Sequence, residues 1–252
     1  MRRDVLDLRE FYAQPLGAAA REMVSRKVAE AWGSLAGLDL LAYGYATPFL
    51  EGLTADARRT VAAMPAAQGV EAWPLGAPNA ATLVDEAALP FPSALFDRIL
   101  AVHALEESDS PLAVLSDLGR VLAPSGRLIL AVAARPGLWA IAESSPFGHG
   151  RPFSRRQLEQ LVREADLEPS GWTRALYAPP LRWSARWAEG FEQVGARLWP
   201  ALSGVVLMEA QKRTAAVSPV TVRRRARVYA PGALRPARDI ALPGIGARSL
   251  GG

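Results

Sequence analysis

His103 carries the chemistry most useful to an enzyme, because an imidazole can give or take a proton near neutral pH. It follows the predicted strand Phe96–Val102, which ends in the apolar residues Ile99–Val102, and Glu106 lies three residues further on. The two side chains could serve as a base and a contact for a polar substrate. Alternatively, His103 bonds to nearby backbone and Glu106 caps or pairs locally. The sequence makes His103 a candidate catalytic residue and Glu106 a candidate substrate contact.

A second polar segment, residues 147–153, places His149 and Arg151 among glycines that make the backbone deformable. These side chains could cover and contact a substrate, or the segment could be a structural turn. His103 and His149 are the only histidines, and the chain has no cysteine. We therefore expect no metal site, no disulfide and no cysteine catalysis.

The elements that must position these residues are short apolar runs alternating with helical patterns. The predicted strands are Leu38–Tyr43, Thr60–Met64, Ala81–Val84, Phe96–Val102, Arg127–Ala133, Trp172–Tyr177 and Ser203–Ala210. Helices are predicted over residues 4–34 and 48–57, from Pro111 with Ser110 as N-cap, and after Ser154, which has Gln157 at capping-box spacing. Such alternation predicts a doubly wound α/β sheet, which binds ligands at the carboxyl ends of its strands.

The ends of the chain differ in composition from its middle. We expect an N-terminal helical segment (1–35), a main domain (36–214) and a disordered tail (215–252) with seven arginines and one acid. That tail could touch RNA, DNA or an anionic membrane, although short arginine runs are usually solvated, so nucleic-acid binding is not favoured. No transmembrane segment or secretory signal is recognisable, and we expect a cytoplasmic protein.

An aromatic-rich insert lies between the last two predicted strands and contains Trp183, Trp187 and Trp199. These side chains could line an apolar substrate pocket. More often such residues cover a sheet or form a dimer surface.

The ordered set of motifs from residue 36 to 212 resembles the class I S-adenosylmethionine (SAM)-dependent methyltransferases, in the branch that acts on small molecules. The matching residues are Leu89-Pro-Phe-Pro92, Phe96-Asp97, His103, Leu105-Glu106, Arg120-Val-Leu122, Pro124 and Gly126. A narrower bacterial group resembles this chain at Gly44-Tyr-Ala-Thr-Pro48, Met64-Pro-Ala66, Gln68-Gly69 and Ser145–Pro152. The resemblance implies a doubly wound, mostly parallel, seven-stranded Rossmann-like sheet with helices on both faces.

The resemblance also implies a SAM site, in which Ala42, Gly44, Tyr45 and Ala46 form the cofactor loop. The family pattern there is an acid followed by three alternating glycines. This chain keeps only Gly44 and has Ala42 in place of the acid. The second strand ends at Met64-Pro65, where the family has a ribose-binding acid, and Glu71 is a substitute of unclear place.

Asp85 resembles the family residue that binds the adenine amino group, and we group Glu86 with it as cofactor-binding. We therefore expect a SAM-dependent methyltransferase that acts on a small-molecule acceptor. The alternative is an inactive methyltransferase-like protein that serves as a binding or assembly module. An RNA-modifying enzyme is a third interpretation, which depends on the basic tail alone.

Overall fold

The computed structural model describes residues 3–213, and these build one seven-stranded sheet with helices on both faces. The strands are β1 (Asp39–Gly44), β2 (Arg59–Pro65), β3 (Ala81–Val84), β4 (Phe96–Val102), β5 (Leu122–Ala133), β6 (Leu167–Ala175) and β7 (Val205–Lys212). The α-helices of the described part are α1 (Val5–Ala13), α2 (Pro15–Trp32), α3 (Thr47–Leu50), α4 (Pro111–Val121), α5 (Arg155–Glu164) and α6 (Ala188–Leu198).

The strand order is β3-β2-β1-β4-β5-β7-β6. Neighbours from β3 to β5 are parallel, whereas β7 runs antiparallel to both β5 and β6. The predicted doubly wound, mostly parallel sheet is confirmed. The connection after β1 leads to β2 on one side of the sheet's centre, and the connection after β4 leads to β5 on the other side. The carboxyl ends of β1 and β4 therefore form the switch point, where such sheets bind ligands.

Both faces of the sheet are buried. Every residue of β1 is buried, with Leu40 and Ala42 facing the helices α1 and α2 while Leu41 and Tyr43 face α4 and α5. Continuous apolar strands are expected where helices cover both faces, since every side chain then enters a core. The N-terminal helices are therefore part of the main hydrophobic core.

The observed elements differ from the predicted ones in several places: β6 begins five residues before the predicted strand Trp172–Tyr177, and α6 forms in the aromatic-rich insert, where no helix is predicted. Three further differences have a plain physical reason. The helical segment 4–34 is broken at Gln14, because Pro15 lacks a backbone N–H and begins a new helix. The predicted helix 48–57 shortens to the single turn of α3. The predicted turn at 124–126 lies inside β5 as a bulge, since Phe96 pairs with Leu122 and Arg98 already pairs with Arg127.

No helix among residues 3–213 is long and apolar enough to cross a membrane. The predicted tail 215–252 lies outside the described residues. The proposed division of the chain at residues 35 and 214 stays a prediction.

The two predicted helix caps behave differently. Ser154 forms the full capping box, with its hydroxyl accepting from Gln157 N and Gln157 Oε1 accepting from Ser154 N. Ser110 occupies the N-cap position of α4, but its hydroxyl makes no capping bond, so that part of the prediction is wrong. The backbone N–H of Ser110 instead donates to Ser108 Oγ.

This difference predicts unequal effects of two serine substitutions. Ser154→Ala should lower the free energy of unfolding by about 1 kcal/mol, because an N-cap bond is lost. Ser110→Ala is the matched control and should change it by less than about 0.5 kcal/mol. Urea denaturation of both variants measures the difference, and an equal loss in the two would contradict the capping geometry.

Candidate functional site

The loop after β1 lies directly against the end of β4. Gly44 has a φ of 73°, and a Cβ at this position would overlap the carbonyl oxygen of Val102. The next residue, Tyr45, donates its backbone N–H to that same oxygen at 2.9 Å. Gly44 thus allows a close contact between two backbone segments at the switch point, and only glycine meets both conditions without strain.

Aromatic side chains fill the space above this contact. Tyr12 of α1 stacks on Tyr45, with ring centroids 5.9 Å apart, and meets Phe49 edge to face at 5.2 Å. On its other side lies His103, whose ring is 4.6 Å from that of Phe147. We call Tyr12, Tyr45, Phe49, His103 and Phe147 the aromatic cluster. Its members are all buried, so the candidate cofactor loop is covered by the N-terminal helix.

Tyr45 also contacts the segment that follows β2. Its hydroxyl donates to Glu71 Oε1 at 2.8 Å, and Glu71 lies 3.6 Å from the guanidinium of Arg9 on α1. Burial and the bond to Glu71 raise the pKa of Tyr45. Glu71, considered as a substitute for the ribose-binding acid, is therefore bound to a tyrosine of the candidate cofactor loop.

His103 has a left-handed backbone, with a φ of 50°. Such a conformation is uncommon for a residue with a Cβ, and it is found mainly at turns and functional sites. The His103 Nε2 atom lies 2.7 Å from the hydroxyl of Tyr12, and its carbonyl accepts from Gln68 Nε2 at 3.3 Å. Burial, with a smaller effect of Arg3, lowers the pKa of His103 to about 3. The imidazole is therefore neutral, and its Nε2 atom can accept a hydrogen bond from the hydroxyl of Tyr12.

Two buried oxygens beside His103 have no hydrogen-bond donor among the described residues. They are Oε2 of Glu106 and Oε1 of Gln68, whose side chains are 3% and 2% exposed. The other carboxylate oxygen of Glu106 accepts from Ala133 N at 2.9 Å. Burial raises the pKa of Glu106 to about 7. Because buried polar atoms are normally paired, these two oxygens fit a polar ligand. Gln68 Oε1 can accept a hydrogen bond, whereas Glu106 Oε2 can donate one while the carboxyl holds its proton and accept one after the proton is lost.

The segment 147–153 packs onto the loop that carries Glu106. The Arg151 backbone N–H donates to Glu106 O, and its guanidinium donates to Ser108 O, both at 2.7 Å. The Nε2 atom of His149 lies 2.5 Å from the Arg3 guanidinium and 2.9 Å from Glu143 O. His149 and Arg151 therefore border the site, and their polar atoms contact the protein itself.

The predicted adenine-binding residues lie apart from the aromatic cluster. Asp85 is exposed at the end of β3 and accepts from Ala87 N within its own turn. The carbonyl of Glu86 accepts from the hydroxyl of Tyr43, on the opposite face of the sheet from Tyr45. Ala42 and Ala46 are fully buried beneath α1. The structure thus brings together His103, Glu106 and the loop 42–46, but not the pair at 85–86.

Sequence reasoning missed two residues of the site, Tyr12 and Gln68. Tyr12 lies within the single helix predicted over residues 4–34, although Pro15 signals a break that turns the preceding residues towards the sheet. Gln68 follows β2 in a segment where no periodicity marks its side chain. Its backbone carbonyl also accepts from Val5 N and so ties α1 to the site.

Comparison with known proteins agrees with this fold. A family model described as a methyltransferase domain matches residues 20–169. Among curated proteins, no relative matches the sequence.

Three solved structures illustrate the similarity. A SAM-dependent methyltransferase from Thermotoga maritima is 18% identical with a TM-score of 0.55, covering 82% of this chain and 96% of its own. A chain from the complex that contains the Haloferax volcanii Trm112 methyltransferase activator is 15% identical with a TM-score of 0.56, covering 85% and 100%. Geranyl diphosphate C-methyltransferase from Streptomyces coelicolor, solved with S-adenosyl-L-homocysteine, is 16% identical with a TM-score of 0.52, covering 75% and 79%. These similarities confirm the predicted fold.

The raised pKa of Glu106 predicts how one substitution responds to pH. The folded protein holds a proton on Glu106 that the unfolded chain releases above its ordinary pKa of 4.5, so the wild type loses stability as pH rises towards about 7. Glu106→Gln keeps an acceptor for Ala133 N and carries no charge. It should therefore match the wild type near pH 5 and be the more stable protein near about pH 8.

Denaturant unfolding at the two pH values measures this effect, and the comparison near pH 5 is its internal control. A stability difference that is the same at both pH values would contradict a buried carboxyl with a raised pKa.

Proposed function

Because this chain belongs to the methyltransferase-domain family, we propose that it transfers a methyl group from SAM to a small-molecule acceptor. The family and similar structures indicate SAM as the cofactor. The observation that carries the proposal is the meeting of Gly44, His103 and the unpaired oxygens of Gln68 and Glu106 at the switch point. Hydrogen-bond acceptors buried at this place suit a polar ligand that is held in one orientation.

When bound, SAM supplies an activated methyl group. We assign its binding to the loop of Ala42, Gly44, Tyr45 and Ala46, with Asp85 and Glu86 nearest its adenine. The unpaired oxygen of Gln68 is suited to an amino or hydroxyl donor of the cofactor, because it is an uncharged acceptor that follows β2. This assignment supplies a polar contact after β2, the strand that ends without an acid.

Binding over this loop requires α1 to move. Tyr12 and Tyr45 are 5% and 2% exposed and occupy the space directly above the loop. The backbone of Gln14 is extended and separates α1 from α2, which makes it the natural hinge. Rotation about this point would withdraw Tyr12 from His103 and free the imidazole Nε2 for a ligand.

The acceptor would enter beside His103, Glu106, His149 and Arg151. Alignment with the methyl group supplies much of the rate of such a displacement, and a base matters when the acceptor must lose a proton. Glu106, whose pKa lies near neutrality, is better suited to take that proton than His103, whose pKa burial lowers to about 3. Both would act from within a site that excludes water.

The second candidate function is a methyltransferase-like binding or assembly protein without activity. It is favoured by the Tyr45–Glu71 bond, which places a tyrosine in the region expected for the ribose. A protein partner would then take the place of a substrate.

The cytoplasmic location expected from the sequence stays a prediction.

Calorimetric titration with SAM and S-adenosylhomocysteine separates the two functions. The enzyme should bind both, and Asp85→Asn should weaken binding by about 10-fold or more, because a hydrogen bond to a charged group is lost. Asp166→Asn, at an exposed aspartate before β6, is the matched control and should bind like the wild type. Absence of binding at millimolar concentrations by the folded protein would overturn the proposed activity.

A further inference from the structure

An exposed apolar stripe runs along the helical segment between β6 and β7. A 3₁₀ helix, Arg182–Trp187, leads directly into α6. Trp183, Trp187 and Leu198 are 54%, 63% and 70% exposed, and Val194 is also exposed. Trp187, the half-buried Phe191, Val194 and Leu198 recur at intervals of three and four, which places them on one side of α6. Trp183, in the 3₁₀ helix, joins them through its ring, whose centroid lies 6.3 Å from that of Phe191. We call these five residues the tryptophan stripe.

The other side of this segment packs against the protein. Ser184, Ala188 and Gly195 are buried, and a Cβ at Gly195 would press on the side chain of Tyr177. The helix is therefore held on the body through small residues, while its largest apolar side chains face outward. The tryptophans at 183 and 187 do not cover the sheet.

The charges beside the tryptophan stripe are unbalanced. Arg186 and Arg197 are exposed, each directly precedes a residue of the tryptophan stripe (Trp187 and Leu198), and neither forms an ion pair within residues 3–213. The acids of α6 are occupied elsewhere: Glu189 bonds to Arg26 at 3.1 Å, and Glu192 accepts from Tyr177 N at 2.7 Å. This surface therefore presents apolar groups together with positive charge.

We propose that the tryptophan stripe binds the surface of an anionic lipid bilayer. Tryptophan rings favour the boundary between headgroups and acyl chains, and arginines beside them attract lipid phosphates. The sequence beyond residue 214, with seven arginines and one acid, adds charge of the same sign. The inference does not depend on methyl transfer.

A second copy of the chain fits this surface less well. Two-fold antiparallel pairing of the stripe would place Trp183 opposite Leu198 and Trp187 opposite Val194 of the other copy. Arg186 of each copy would then lie beside Arg197 of the other. Like charges brought together at an apolar contact oppose association, whereas an anionic surface neutralises both.

Vesicle flotation of the full chain tests the proposal. Vesicles of phosphatidylcholine containing about 30% phosphatidylglycerol should bind the protein more tightly than phosphatidylcholine alone, and less tightly as salt is raised. Trp183→Ser/Trp187→Ser should weaken binding by at least about 10-fold, since two large apolar side chains no longer insert. Arg186→Glu/Arg197→Glu should weaken it by a similar factor, because each basic residue contributes about fivefold.

Two single variants serve as matched controls, Leu75→Ser at a 91% exposed leucine and Arg156→Glu at an exposed arginine of α5. Both should bind as the wild type does, and circular dichroism checks that every variant is folded. No binding to anionic vesicles, or unchanged binding by the two double variants, would overturn the proposal. A different pair of results would also overturn it: light scattering shows a dimer that dissociates in Trp183→Ser/Trp187→Ser, and the wild type does not bind vesicles.

Discussion

The contact between Gly44 and the carbonyl of Val102 is the constraint on which the rest of the site depends. It closes the loop after β1 onto the end of β4, and a side chain at residue 44 would prevent it. Because the loop is held there, Tyr45 points towards Glu71 and offers its ring to Tyr12. Helix α1 is in turn positioned over the switch point. One close backbone contact thus determines how the candidate cofactor loop is covered.

The cover makes the site dry, and its polar chemistry follows from that. Burial disfavours charge, so His103 is neutral and Glu106 holds its proton up to about neutral pH. Tyr12 satisfies His103, but no donor of the described chain satisfies the second oxygen of Glu106. The same enclosure that excludes water leaves the second oxygen of Glu106 and the amide oxygen of Gln68 for a polar ligand to pair with. A site of this kind is closed at rest and requires a conformational change before it can bind.

The sequence predicted best those strands and helices whose structure is determined by residues close together in the chain. Strands β3 and β4 were predicted with their observed bounds, because each is a short, largely apolar segment between turn signals. The sequence predicts a turn where β5 has its bulge. Pro124 and Gly126 suit either structure, and only the pairing of β5 with β4 determines which one forms. His103 and Glu106 lie at the carboxyl edge of the sheet, as expected for residues that directly follow the predicted strand β4. Tyr12 could not be found, because its partner lies 91 residues away and no spacing in α1 marks it.

Hydrogen–deuterium exchange of the full chain, with and without saturating SAM, tests the central claim that SAM binds at the switch point beneath α1. Tyr12 must leave Tyr45 and His103 to admit the cofactor, so the amides of Val5–Ala13 should exchange faster in the complex. The amides of α6, which lies outside this site, should not change. If SAM binds and α1 stays as protected as before, the cofactor lies elsewhere and the account is contradicted.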